Sequence, residues 1–424
     1  MQNVTHLLRS RRFAPIFGTQ ALGAFNDSLF KQAVVLFVTY QLYSDPTREA
    51  QFNAIAQALF ILPFFILSAA AGQLADVRDK ARIIRIIKAA EILIMIVGGL
   101  GLWLANVPLM LTAVFAMGIH STFFGPIKYA ILPQHLQKDE VLGGTGLVEA
   151  GTYLAILGGT IAAGALAASP KSAAIACIVI ACIGLAVGRQ VPPAPPMSDA
   201  RPPDWHIFRA SWRLVSDTMH VPRLFLAICS ISFFWTIGAV LIIIFPPLVK
   251  NVLGANEFVA SLFIAIFSVG VAIGSVAINR LLKSEVSARY APVSVLAMAA
   301  FVIMLDFVSR SWAVHSDGEL ITLANFLYQP SAPLLVIALL GISVTGGMFV
   351  VPLYAFLTTT VEQSETARTV AANNIVNAGA MTIGAAMALA LTSFGYGPNA
   401  QLLLVAAMCF VSAWIGWKLH LACD

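Results

Sequence analysis

The chain has 424 residues, of which 59% are hydrophobic and 11% are charged, and its formal net charge is +5 at pH 7. Its mean hydropathy of +0.86 lies far above the range of soluble proteins, so a soluble globular fold is excluded and most of the chain is expected to lie in lipid. The positive charge does not require a nucleic-acid partner, because an excess of Lys and Arg on one side of a membrane accounts for it.

Apolar segments long enough to cross a hydrocarbon core of about 30 Å recur along nearly the whole chain. They are too long for barrel strands and lack strand alternation, so they are predicted to be helices. The first segment is too long for a signal peptide and is expected to remain in the mature protein. We predict twelve spans, at residues 13–42, 52–75, 83–105, 107–133, 141–168, 172–189, 221–249, 256–281, 291–308, 333–358, 367–395 and 399–420.

Basic residues predict the orientation of these spans. When successive loops are assigned to alternate sides of the membrane, most Lys and Arg fall on one side, with clusters in residues 9–12, 78–88 and 201–223. The more basic side of a membrane protein is usually cytoplasmic. Both termini are therefore predicted to be cytoplasmic.

A proline-rich segment divides the predicted spans into six and six. Residues 190–203 read QVPPAPPMSDARPP, which suits an extended connector. A predicted amphipathic helix in the membrane interface follows, and its apolar side chains step by three and four: Trp205, Phe208, Trp212, Val215 and Met219. We predict a six-helix bundle over residues 1–189, a cytoplasmic linker over 190–220 and a second six-helix bundle over 221–424.

This arrangement resembles the major facilitator superfamily, in which two six-helix bundles rock about a central site. Residues 72–82 read GQLADVRDKAR and are similar to a cytoplasmic loop motif of that superfamily, although Val77 stands where a base is usual and Asp79 where Gly is usual. The resemblance implies a conformational latch made of Asp76, Arg78 and Lys80. The alternative is a charged loop that only sets topology.

Five polar side chains inside the predicted spans of the first half are candidate site residues. They are Asn26, Asp27, Lys31, Lys128 and Glu149. Each charged group costs about 2.5–3.5 kcal/mol at the centre of a span, and an ion pair one helical turn apart offsets little of that cost. We therefore expect these groups to line a wet or substrate-filled cavity.

Other polar residues in the spans leave two interpretations open. Lys128 and Glu149 form a structural ion pair, or Lys128 is available to an anion. Three amides in span eleven, Asn373, Asn374 and Asn377, either hold helices together or contact substrate. Glu91 is expected to reach the membrane interface, and His120 to be a hydrogen-bonded packing residue.

Small residues predict close helix packing in two spans. Span five carries Gly151, Ala155, Gly159, Ala163 and Ala167 at every fourth position, and span eight carries Gly270 and Gly274. In facilitators these two helices are neighbours across the junction between the bundles. The resemblance therefore implies a seam there, with room for a lateral opening.

Several segments are similar to the bacterial lysophospholipid transporters of this superfamily. They are FNDSLFK (25–31), FGPIKYAILP (124–133), GLVEAGTYLAILGG (146–159), GGMFVVPLYAFL (346–357) and AANNIVNAGAM (371–381). The resemblance places Asp27, Lys128 and Glu149 at positions that family shares, whereas Lys31 is typical only of some of its branches.

The resemblance implies a flippase that moves lysophosphatidylethanolamine and lysophosphatidylglycerol from the outer to the inner leaflet of the bacterial inner membrane. A separate acyltransferase then restores the second chain, and the transporter is expected to be a monomer. The sequence contains no acyltransferase His-x-x-x-x-Asp pair, no phosphate-binding loop and no metal-ligand spacing among its five cysteines, so neither an enzyme nor a cofactor is predicted. The competing hypotheses are a proton-coupled exporter of drugs or other amphipathic solutes and a membrane scaffold without transport.

Overall fold

A computed structural model of the chain describes residues 4–43, 46–166, 169–196, 204, 206–312 and 320–423. The described residues form fifteen α-helices. Those of the first half are α1 Ala14–Phe37, α2 Pro46–Val77, α3 Lys80–Trp103, α4 Val107–Ala130, α5 Leu132–His135, α6 Lys138–Leu166 and α7 Pro170–Gly188. They are followed by α8 Ile207–Met219, α9 Pro222–Pro247, α10 Glu257–Leu281, α11 Ala291–Arg310, α12 Leu323–Tyr328, α13 Ala332–Thr359, α14 Thr366–Ser393 and α15 Pro398–Cys423.

Twelve of these helices correspond to the twelve predicted spans. Ten are long and apolar enough to cross a membrane by length and composition. The other two, α1 and α3, have 24 residues each and are therefore about 36 Å long. The prediction of an all-α membrane protein with twelve membrane helices is confirmed.

Prolines and polar caps set where several helices begin. Asp79 accepts a hydrogen bond from the amide of Arg82 at the start of α3, and Asn106 accepts one from Leu109 at the start of α4. A proline lies in the first turn of α4, α7, α9 and α11. Proline is tolerated there because the N–H groups of a first turn make no hydrogen bond within the helix. The first long helices of the two halves, α1 and α9, also share a feature, because each continues into a π-helical turn.

The chain packs as two compact units. The first contains Met1–Thr218 together with Leu357–Ile375, and the second contains Met219–Phe356 and Val376–Asp424. In the first unit α1 packs against α6 and α7, α2 against α4, and α3 against α4 and α7. In the second unit α15 packs against α9 and α11.

Glycines let helix backbones approach closely inside each unit. A Cβ added to Gly159 of α6 would lie 2.3 Å from the carbonyl oxygen of Phe25 in α1, and one added to Gly274 of α10 would lie 1.9 Å from that of Val344 in α13. Gly159 and Gly274 therefore permit close helix packing, as their spacing predicts, each within its own unit. Ala167 lies outside the described residues.

The predicted amphipathic helix is present as α8. Its Phe208 and Trp212 side chains are each 78% exposed, whereas Ala210 is buried against Ala69 of α2 and Ile375 of α14. Such an exposed aromatic face suits the membrane interface. Trp205 lies outside the described residues.

Before α8, Asp204 binds both Nε and Nη2 of Arg209 at 2.9 Å. These hydrogen bonds hold the pKa of the Asp204 carboxyl well below its usual range.

Candidate functional site

A buried cluster of polar groups joins α1, α3 and α4. We call it the buried ion-pair network, and its members are Asn26, Lys88, Glu91 and His120. The Glu91 carboxylate accepts a hydrogen bond from Asn26 Nδ2 at 2.7 Å and one from Lys88 Nζ at 2.7 Å. His120 Nε2 lies 3.3 Å from the oxygen that binds Lys88. All four side chains are buried.

The buried ion-pair network corrects the expected position of Glu91. Its side chain is 1% exposed, so it lies in the core of the first unit and does not reach the membrane interface. The sequence held one signal, because Lys88 and Glu91 are three residues apart and share a face of α3. The tertiary partners Asn26 and His120 were not predictable, since they come from other helices.

Glycines make room for the long side chain of Lys88. Its methylene groups pass beside Gly184 and Gly188 of α7, and a Cβ added to Gly23 of α1 would lie 2.7 Å from its Nζ. The ammonium group thus reaches Glu91 from inside the helix bundle. The Lys88–Glu91 pair is therefore held by protein groups in the core of the first unit.

Asp27 and Lys31 lie on another face of α1 and are only partly buried. One carboxylate oxygen of Asp27 accepts a hydrogen bond from Ser121 Oγ at 2.6 Å, and the other has no hydrogen-bond partner among the described residues. Lys31 Nζ lies 4.9 Å from the ring centroid of Phe60. Asp27 and Lys31 therefore share a helix face without forming an ion pair.

Lys128 follows Gly125 and Pro126 in the last turns of α4 and is also partly exposed. Its Nζ lies 4.7 Å from the ring centroid of Tyr129, and the hydroxyl of Tyr129 donates to the buried carboxylate of Glu149. The second oxygen of Glu149 has no hydrogen-bond partner among the described residues.

The structural ion pair between Lys128 and Glu149, one of the two alternatives above, is therefore not formed. Lys128 still lies close enough to Glu149 and to Asp27 for their charges to interact. We call Asp27, Lys31 and Lys128 the partly exposed charges. They bring one carboxylate and two ammonium groups to membrane depth without an ion-pair partner among the described residues.

The amides of α14 differ from one another. Asn373 is fully buried, and neither of its side-chain polar atoms has a hydrogen-bond partner among the described residues. Asn374 approaches α4, because a Cβ added to Gly125 would lie 3.2 Å from its Nδ2. Asn377 accepts a hydrogen bond from Ser232 of α9 at 2.7 Å, as expected of an amide that holds two helices together.

The loop motif places Asp76 at the start of α14. Its two carboxylate oxygens accept hydrogen bonds from the amides of Ala367 and Arg368, both at 3.1 Å, and Nε of Arg368 lies 3.6 Å away. Close packing at Gly72 permits this contact, since an added Cβ would lie 2.5 Å from the Cβ of Ala371. The carboxylate thus caps a helix whose first amides otherwise lack partners.

The two bases of the predicted latch lie in different environments. Lys80 is fully buried, and its Nζ has no hydrogen-bond partner among the described residues. Arg78 is exposed and makes no hydrogen bond or ion pair with the part of the chain that the structure describes. Arg368, which was not part of the predicted latch, is the base that approaches Asp76.

The family model of the Major Facilitator Superfamily matches residues 16–324, which is most of the chain. The chain belongs to the Major Facilitator Superfamily. Among solved structures of similar fold, the human organic anion transporter MFSD10 (TETRAN) covers 96% of this chain and 99% of its own, with a TM-score of 0.75 and 12% identity. The transporter FucP in its outward conformation gives a TM-score of 0.71 at 13% identity and covers 95% of this chain and 98% of its own.

Sequence comparison adds a more specific similarity within the superfamily. The lysophospholipid transporter LplT of Citrobacter koseri is 26% identical over 412 residues, which cover 96% of this chain and 90% of that protein. The Yersinia pestis protein of the same name is 25% identical over 361 residues, which cover 82% and 79% respectively. The resemblance drawn from the sequence segments therefore extends over most of the chain.

Proposed function

We propose that the chain is a lysophospholipid transporter. The observation that carries the proposal is the partly exposed charges, Asp27, Lys31 and Lys128, which lie in membrane helices and lack ion-pair partners among the described residues. Such groups at hydrocarbon depth are usually retained because they meet a substrate or an ion. The similarity to LplT supports a substrate with a charged head and an apolar tail.

The chemistry of these groups suits a lysophospholipid. Lys128, assisted by Lys31, offers ammonium groups to the phosphate, and Asp27 offers its carboxylate to the ammonium of an ethanolamine head. Glu149 and Asn373 are further candidate contacts, because each keeps a polar atom without a hydrogen-bond partner in the described part of the chain.

Two amides that were predicted to contact substrate have protein partners in the structure. Asn26 donates a hydrogen bond to Glu91, and Asn377 accepts one from Ser232.

The proposed transport brings lysophosphatidylethanolamine and lysophosphatidylglycerol from the outer to the inner leaflet of the bacterial inner membrane, where an acyltransferase on the cytoplasmic side restores the second chain. The six-helix halves, residues 1–189 and 221–424, would alternate access about a laterally open cavity. Asp76 would act as the latch by holding or releasing the first turn of α14. The working form is proposed to be a monomer with both termini in the cytoplasm.

The test uses proteoliposomes with labelled lysophosphatidylethanolamine in one leaflet. The wild-type chain should accelerate its translocation, and Lys128→Ala should abolish the acceleration while the protein still inserts and folds. Lys418→Ala is a matched control. Lys418 Nζ also lies over an aromatic ring, 3.9 Å from the centroid of Trp414, but Lys418 is near the C-terminal end of α15. Normal flux in the Lys128 variant would remove Lys128 from the site.

A second candidate function is a proton-coupled exporter of drugs or other amphipathic solutes. The observation in its favour is the proximity of protonatable groups in the first unit, since His120 Nε2 lies 3.3 Å from the Glu91 carboxylate. The same vesicles separate the two functions. A proton-dependent drug flux without lysophospholipid translocation would replace the first proposal with the second.

A further inference from the structure

A cavity of about 830 Å³ opens on the first unit between α3, α4 and the end of α2. Its volume lies within the range of about 300–1,000 Å³ that is typical of small-molecule sites. It contains none of the partly exposed charges.

The walls of the cavity form an apolar groove along the membrane helices. On α3, Arg82, Ile86, Ala90 and Ile94 are four residues apart and share one face. Ile86 is 60% exposed, as expected of a side chain that faces lipid. Arg82 to Ile94 spans twelve residues, or about 18 Å, which is close to half of the roughly 30 Å hydrocarbon core. The groove therefore has the length of one acyl chain in a single leaflet.

Positive charge lies at one end of this groove. Arg78 and Arg82 are exposed there, and neither guanidinium has an ion-pair partner among the described residues. Asp79 also lines this end, but one of its oxygens accepts the amide hydrogens of Arg82 and Ala194, so its carboxylate is engaged by the start of α3. The polar end thus presents two donor-rich cations that suit a phosphate.

We infer that this groove binds an anionic phospholipid of the membrane, with its phosphate on Arg78 and Arg82 and one acyl chain along Ile86, Ala90 and Ile94. Charge complementarity decides the head group, because the two arginines and Asp79 together carry a net positive charge. A head group without an ammonium, such as that of phosphatidylglycerol, is therefore preferred. The bases lie at the end of α3 that the charge distribution predicts to be cytoplasmic, so the lipid belongs to that leaflet.

The site is independent of the proposed transport substrate, and its test measures lipid retention by the full chain. The purified protein in detergent is titrated with phosphatidylglycerol or phosphatidylethanolamine, and bound lipid is counted by native mass spectrometry. Wild type should retain one phosphatidylglycerol at a lipid concentration at least about tenfold lower than it needs for phosphatidylethanolamine, which corresponds to about 1.4 kcal/mol. Equal retention of the two lipids would overturn the inference.

Two variants and a matched control locate the site. The double variant Arg78→Gln and Arg82→Gln should lose the preference for phosphatidylglycerol, while Arg85→Gln should keep it. Arg85 carries the same charge one turn along α3, but it lies outside the groove and donates to the carbonyl of Val191.

A variant in the apolar part of the groove tests the acyl chain. Ala90→Trp should weaken retention of both lipids, because the indole fills the acyl groove. Unchanged retention in the double variant, or a loss in Arg85→Gln equal to that in the double variant, would contradict the assignment.

Discussion

The first unit holds two sets of charged groups that differ in how their charges are satisfied. In the buried ion-pair network, Glu91 binds Asn26 and Lys88 and lies next to His120. Among the partly exposed charges, Asp27 follows Asn26 directly in sequence, yet it binds only Ser121 and keeps one oxygen without a partner in the described part of the chain. Adjacent residues on α1 thus differ, because Asn26 is fully buried beside an ion pair whereas Asp27 is only partly buried and binds Ser121. The comparison indicates that membrane depth alone does not identify a functional charge.

The largest effect is expected from breaking the buried ion-pair network. Glu91→Ala leaves the Lys88 ammonium buried without its carboxylate, which should cost about 3–5 kcal/mol of stability. The measurement is thermal unfolding of the purified protein in detergent. Unchanged stability would show that the Lys88–Glu91 pair does not stabilise the fold.

Replacing both charges of that pair sharpens the same point. Lys88→Met with Glu91→Leu removes the ammonium and the carboxylate together and should recover most of the stability lost in Glu91→Ala, because a buried pair often adds little over apolar residues of similar volume. Thermal unfolding of the single and double variants, measured side by side, checks this. A double variant as unstable as the single one would mean that Asn26 and His120 also require the carboxylate.

A change in the partly exposed charges should affect transport instead of stability. Asp27→Asn keeps the shape of the side chain and an acceptor for Ser121, but it removes the charge offered to a substrate. We expect translocation of lysophosphatidylethanolamine to fall by about tenfold or more, as for the loss of a hydrogen bond to a charged group. Unfolding should remain near that of wild type. A variant with normal flux and lowered stability would place Asp27 with the structural groups.

A smaller effect is expected at the start of α14. Asp76→Ala removes the cap on the amides of Ala367 and Arg368 and should cost about 0.5–2 kcal/mol. The conservative variant Asp76→Asn keeps an acceptor and should lose less stability. If Asp76 also acts as the latch, both variants should change the transport rate per folded molecule. A transport rate that falls only in proportion to the amount of folded protein would contradict that role.

The smallest effect concerns an exposed pair outside the membrane. The hydrogen bonds from Arg209 lower the pKa of Asp204 in the folded protein, so its contribution is present above the ordinary carboxyl pKa of about 3.9 and is lost as the pH falls through the lowered folded value. Between pH 7 and pH 5 the docking of α8 should therefore not change. Asp204→Asn should loosen α8 slightly at pH 7, measurable as faster amide hydrogen exchange in its first turn, and equal exchange in both proteins would show that the pair contributes nothing.

The sequence predicted the membrane helices well because lipid imposes a strong and local rule. A run of about twenty apolar residues is readable without knowing its neighbours, and each of the twelve predicted spans corresponds to one long helix. Helix ends were less precise, as for α2, which begins at Pro46 although its span was predicted from residue 52. Polar residues at helix starts favour such extensions beyond the apolar core.

The candidate site was only partly predictable. Asp27, Lys31 and Lys128 stood out because charges are rare in apolar runs, and the structure keeps them partly exposed. Glu91 was misplaced because it was taken to lie near the end of its span, whereas its position is decided by Asn26 and His120 on two other helices. Likewise, no local pattern pairs Asp76 with the start of α14, which lies almost three hundred residues away. Contacts of this kind depend on the tertiary fold.

Accessibility of the two sets of charges is the most direct test of the contrast between them. In a background without native cysteines, Lys128→Cys and Asn26→Cys are each treated with a small thiol reagent in membranes, with and without lysophosphatidylethanolamine. Lys128→Cys should be labelled and lysophosphatidylethanolamine should slow its labelling, whereas Asn26→Cys, inside the buried ion-pair network, should not react. If Lys128→Cys is inert, or if the lipid leaves its labelling unchanged, the partly exposed charges do not form the substrate site.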